Sequence, residues 1–263
     1  MPWFGRRNNS RGNSDGPPSF AVDALRRVGV RGVSFRSTDA FGDRANAWAV
    51  EVPGDRALTL WSELASDGEH WSPVILGSAI DETRLAESRQ YCTVTPDEIL
   101  EAASRIDVDV LIATWQANNE LDDEWDYVGQ WPDGVGPNTS FVLPYDIGTR
   151  QHRATVLAIV AVRDSTEVPA ALGWGAWNAC PSPEEHVAVM RRWSDRYGAQ
   201  LVGISSDVVE MKVSSPPKDR EAAMQLAGEQ FAYCEDIVTQ GTETISALAA
   251  TLLNGTSWYF WWD

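Results

Sequence analysis

The stretch ATVLAIVAV at Ala154–Val162 carries no charge over nine residues. A helix needs about 20 apolar residues to cross a bilayer, so this run is too short to span one and reads as a buried strand. Downstream of it, Ser182 precedes PEEHVAVMRRWSDRY, with Pro183 in the first helical position and Glu185 placed to reach back to the Ser182 N–H. Val187, Met190, Trp193 and Tyr197 make an apolar stripe along that helix, and Gly198 stands where a left-handed residue ends it.

Next, QLVGIS, a turn at Ser206–Asp207 and VVEMKV read as an antiparallel hairpin, with Val209, Met211 and Val213 facing one way and Val208, Glu210 and Lys212 the other. Asp219 caps a helix through DREAAMQLAGEQFAYCEDIV, and Thr242 is expected to cap another through TETISALAATLL. Asn254–Gly255 turns the chain into TSWYFWWD. With period two, Trp258, Phe260 and Trp262 share one face of this last strand and suit the core, while Tyr259, Trp261 and Asp263 share the other.

Upstream of Ala154, residues 116–153 are rich in turn formers and hold an acidic run at Glu120–Asp126 interleaved with Trp115, Trp125, Tyr127 and Trp131. Before it come a helix near Ala21–Val28, strands near Val33–Phe35 and Ala47–Val52, a helix through Leu58–Ala65 and the strand SPVILG. Thr95, Pro96 and Glu98 form a capping box for the next helix, and DVLIATW at Asp109–Trp115 is expected to be a strand. The fold class is therefore α+β, with a mixed and largely antiparallel sheet and flanking helices. Two lobes are expected, residues 20–150 and 151–263, behind a disordered tail at 1–19 whose Gly, Pro, Asn, Ser and Arg cannot bury enough apolar surface to offset ordering.

The formal charge of −17, from 38 acids against 21 Lys and Arg, disfavours nucleic acid and anionic membrane and favours a basic protein partner. Aromatics among carboxylates add cation–π capacity to that preference. Three scattered cysteines, Cys92, Cys180 and Cys234, make no disulfide framework, and the N-terminus lacks the apolar stretch of a secretion signal. The expected location is cytoplasmic.

The run GWGAWNACPSPEEHVAVMRRWSDRYGAQLVGISSDVVEMKV, with the later SPP, EQFAYCEDIV, TQG and WYFWWD, resembles the bacterial, actinobacterial-type domain-of-unknown-function family DUF4253 over roughly residues 169–263. The resemblance implies a domain and supplies no mechanism. One departure is visible: Ala176 stands where the family pattern would put the second Gly before Trp177-Asn178, so a left-handed backbone there would be strained.

The signatures of phosphate loops, nucleophile elbows and His-Glu-x-x-His metalloproteases are missing from the sequence. Cys180, just before a helix N-terminus, and His186 are the weak candidates for a nucleophile and its base, the helix end being expected to lower the thiol pKa. Cys180, His186 and Cys234 with Asp236 would make a soft ligand set, but the paired spacing of closed zinc sites is missing, so neither metal nor cofactor is expected. The candidate binding residues are Trp174, Trp177, Asn178, Asp236, Gln240, Tyr259, Trp261 and Asp263. The reading that follows is a non-catalytic binding module, possible as an immunity-like neutraliser of a basic protein. Its rivals are a small-substrate enzyme using Cys180 or an Asn178/Asp236/Gln240 cleft, and a structural subunit.

Overall fold

In the computed structural model, the described residues are 16–67, 69–119, 127–146, 148–149 and 151–263. Most of the expected tail and the acidic run Glu120–Asp126 lie outside them. In chain order the elements are α1 (Ser19–Val28), β1 (Arg36–Ser37), β2 (Ala47–Pro53), α2 (Gly54–Asp67), β3 (Ser72–Gly77), α3 (Ala79–Arg89), α4 (Pro96–Ala103) and α5 (Val108–Asn119). There follow β4 (Tyr145–Asp146), β5 (Gln151–His152), β6 (Ala154–Val160), α6 (Val168–Leu172), α7 (Pro183–Tyr197), β7 (Ala199–Ile204), β8 (Val208–Val213), α8 (Arg220–Tyr233), α9 (Ile245–Leu252) and β9 (Ser257–Trp261).

Seven strands form one sheet in the order β1-β2-β6-β3-β7-β8-β9, and β4 pairs with β5 separately. Every neighbouring pair in the large sheet is antiparallel except β3 with β7. The fold is thus α+β with a mixed sheet. Strand β6, placed in the second lobe by sequence, is seated between β2 and β3, which come from the first. All its residues from Thr155 to Val160 are buried, as befits an apolar run covered on both sides.

Alternation then sorts the core into two layers. One face of the sheet, through Val50, Val52, Ile75, Leu157, Ile159 and Val202, packs against α1 and α2. The other, through Val74, Leu76, Val156, Ala158, Leu201, Met211, Trp258 and Phe260, packs beneath α7, α8 and α9. Helices α4 and α5 lie against α7 and α8.

Three readings of the sequence differ from the structure, the first being the strand expected near Val33–Phe35, which is instead the two-residue β1 at Arg36–Ser37, paired with β2. Asp109–Trp115 is helical, inside α5, because Asp107 accepts from the N–H groups of Asp109 (3.1 Å) and Val110 (3.2 Å) and starts a helix ahead of the apolar run. Helix α9 is capped by Thr244, whose hydroxyl accepts from the Ala247 N–H at 3.1 Å, while Thr242 closes the preceding π-turn. The other caps match the sequence pattern: Glu185 accepts from the Ser182 N–H at 2.8 Å and Gly198 ends α7 at φ +58°. Glu210 departs from simple alternation, being buried although Lys212 beside it is exposed, because the Val142–Leu143 segment crosses over it.

Candidate functional site

The loop Gly173–Pro181 joins α6 to α7 and folds back on itself through four left-handed backbones, Gly173, Gly175, Ala176 and Asn178. Gly175 has no alternative: a Cβ there would meet the Pro181 carbonyl oxygen at 2.3 Å and the His186 ring at 2.9 Å. Ala176 holds φ +69°, so the left-handed position that the departure from the family pattern put in question is occupied by a residue that pays a steric cost for it.

This fold-back brings Cys180 Sγ to 3.3 Å from His186 Nε2, one turn inside α7. On its other side His186 Nδ1 lies 2.5 Å from the Tyr233 hydroxyl, supplied by the end of α8. Around them pack Trp174 against His186 (4.7 Å between ring centres), Trp177 edge-on to Trp174 (4.8 Å), and Trp262 against Trp174 (5.5 Å). The result is a thiol–imidazole–phenol line inside an aromatic shell.

The shell decides its chemistry. Burial without a carboxylate partner pushes the imidazole of His186 down to about 3, and burial drives the Cys180 thiol well above its usual value. The lowered thiol pKa expected from the helix end is therefore overturned: desolvation outweighs the end of α7. The Tyr233 hydroxyl is raised too, again chiefly by burial. At neutral pH all three groups are uncharged and satisfy one another. Cys234 points away, its Sγ donating to the Trp261 carbonyl oxygen at 3.0 Å, and burial raises it to about 12. Among the described residues no group of three His, Cys, Asp or Glu side chains is placed to hold a metal ion.

The polar candidates do converge, around main chain. Asn178 Nδ2 donates to the Asp263 carbonyl oxygen (2.7 Å), the Asp263 N–H donates to Asp236 Oδ2 (3.0 Å), and Gln240 Nε2 donates to Asp236 Oδ1 (2.8 Å). They tie the end of β9 to the loop and to the turn after α8. Tyr259 and Trp261 lie on the opposite face of β9 from Trp262, away from Trp174 and Trp177. Tyr259 pairs across strands with Glu210, and its phenol is raised to about 12, mainly by burial.

In front of the aromatic shell is an open groove of about 630 Å³. Trp174 and Trp177 line it together with Tyr91, Val94, Ile99, Pro183 and Glu184. Tyr91 is 81% exposed and Val94 46%. Asp97, Glu98 and Glu101 stand exposed on the adjoining α4. Tyr91 and Val94 were not singled out by sequence, because nothing local distinguishes a loop aromatic that lines a groove from one that merely faces water. Tyr233 was quoted within a motif, but only the end of α8 reveals that it meets His186.

No curated protein and no solved structure matches this chain. Residues 156–263 match the family described as a domain of unknown function, DUF4253, starting within β6 and so earlier than the resemblance suggested, and the whole Trp174–Cys180–His186–Tyr233–Trp262 cluster falls inside that match.

Proposed function

We propose that this is a bacterial cytoplasmic protein of actinobacterial type that acts as a non-catalytic binding module for a basic protein, in the manner of an immunity protein. The observation that carries the reading is the groove of about 630 Å³, which the exposed Tyr91 and Val94 line together with Trp174, Trp177 and Glu184, next to the carboxylates of α4. Aromatic and aliphatic walls accept a partner's anchor side chain, and the surrounding acids with a net charge of −17 steer a cationic surface towards it. Tryptophan fluorescence titration with a Lys/Arg-rich peptide carrying one aromatic residue tests it. Saturable binding that weakens with salt and falls about tenfold or more in Trp177→Ala is expected; equal binding of a Glu/Asp-rich counterpart, or no binding, overturns it.

A second reading, an enzyme using Cys180 on a small substrate, draws on the 3.3 Å contact to His186 and on a cavity of about 240 Å³ lined by Cys180, Asn178 and Tyr233. Burial of both partners weighs against it.

A further inference from the structure

Beside the groove, and sharing Cys92 and Thr93 with it, is a second cavity of about 440 Å³ between Arg44 and Arg89. Its two guanidinium groups are held in different ways. Arg44 donates to four main-chain carbonyls: Ala170 (3.0 Å), Ala171 (3.2 Å), Cys92 (3.3 Å) and Val94 (2.8 Å). These contacts fix the group and leave its charge uncancelled, since among the described residues no carboxylate approaches it within 4.0 Å.

Arg89, the last residue of α3, lies on the bare Cα of Gly42: a Cβ there would come within 2.2 Å of Nη1. Its Nε is buried without an acceptor, and its ion pair is a 3.4 Å contact from Nη1 to Asp43, whose side chain is 98% exposed. A buried guanidinium N–H without an acceptor is unusual, because leaving it so costs more than the bond would gain. The other lining acid is Asp97, in the first turn of α4.

We propose that this cavity is a binding site for a small organic oxyanion, a phosphate monoester or a carboxylate, gripped by Arg89 in bidentate fashion and neutralising Arg44. The planar fork of arginine matches both headgroups, and a pre-positioned fork loses little freedom on binding. The two arginines balance Asp43 and Asp97 in a molecule that is otherwise strongly acidic, and the cavity adjoins the groove proposed for the basic partner, sharing Cys92 and Thr93 with it.

The full chain titrated calorimetrically with glycerol phosphate, succinate and neutral glycerol, at ionic strength held constant with sodium chloride, tests the proposal. Saturable binding of glycerol phosphate or succinate, but not glycerol, is expected, and the tighter of the two identifies the headgroup. Arg89→Gln weakens it about tenfold or more. Asp43→Asn, which removes a competing carboxylate from a solvent-exposed position, tightens it about two- to fivefold. Binding no stronger than chloride's, or unchanged affinity in Arg89→Gln with a native far-UV spectrum, overturns the site; a loss of affinity in Asp43→Asn does so independently of how Arg89→Gln folds.

Discussion

The Nδ1 atom of His186 lies 2.5 Å from the hydroxyl of Tyr233, with both side chains buried. Replacing Tyr233 by Phe leaves a buried ring nitrogen without a partner. The expected loss is about 1–3 kcal/mol in urea unfolding, with the fold retained. A loss below about 0.5 kcal/mol would mean that His186 draws little from this contact.

The same burial fixes the order in which the cysteines react. Cys92 is half-buried, whereas Cys180 and Cys234 are buried and their thiols raised. Iodoacetamide at pH 7 should label Cys92 first, with Cys180 at least about 100-fold slower than a free thiol until the chain unfolds. Peptide mapping by mass spectrometry reads the order, and early labelling of Cys180 would favour the enzyme reading.

Ala176→Gly should stabilise the protein. At φ +69° the methyl group of alanine is strained, and relief of about 1–2 kcal/mol is partly offset by the greater freedom of glycine in the unfolded chain. A net gain of about 0.5–1 kcal/mol in denaturant midpoint analysis is expected. The same change at Ala188, inside α7, should instead cost about 1 kcal/mol.

Glu210 gives stability a pH dependence. Its carboxylate accepts from the Val142 and Leu143 N–H groups at 2.5 and 3.0 Å, yet burial outweighs these bonds and raises it to about 7 from 4.5. Below about pH 4.5 the group is protonated whether the chain is folded or not. Between about 4.5 and 7 the unfolded chain has lost this proton while the folded one keeps it, so this contribution to stability falls as pH rises, by about 3 kcal/mol, and levels off above 7. Glu210→Gln should flatten that slope in thermal melts across the same window.

Just past the last strand, Trp262→Ala removes a ring that is 2% exposed and packed on Trp174, His186 and Tyr233, and should cost about 3–5 kcal/mol. Trp261→Ala, on the half-buried opposite face, should cost about 1 kcal/mol or less, since its contact to Cys234 is made by the main chain. Equal losses would refute the division of the strand into a core face and a free one.

Sequence patterns located most elements because period and cap agree there: Ser182, Pro183, Glu185 and Gly198 define α7 before any contact is considered. The misreading of Asp109–Trp115 arose where they disagreed. A seven-residue, mostly apolar segment fits strand or helix equally, and the deciding signal was Asp107, two residues earlier, acting as a cap. At the site, the sequence marked Cys180, His186 and the tryptophans, but their meeting depends on the left-handed fold-back at Gly175–Asn178 and on Tyr233 arriving from α8. Such long-range convergence leaves no local period. Glu210 was hidden for a related reason: alternation placed it facing away from the aromatic core, and only the crossing of residues 142–143 buries it.

Strand β6 lies with β2 on one side and β3 on the other, and β3 separates it from β7. The segment recognised as a family begins in that strand, while both of its hydrogen-bonding neighbours come from residues that precede the match. Cut out alone, residues 156–263 would carry an apolar ribbon with no strand beside it and would bare the flank of β7. The stretch that can be recognised by sequence is thus smaller than the stretch that can close its own sheet, and the preceding residues complete the scaffold on which the aromatic core is built.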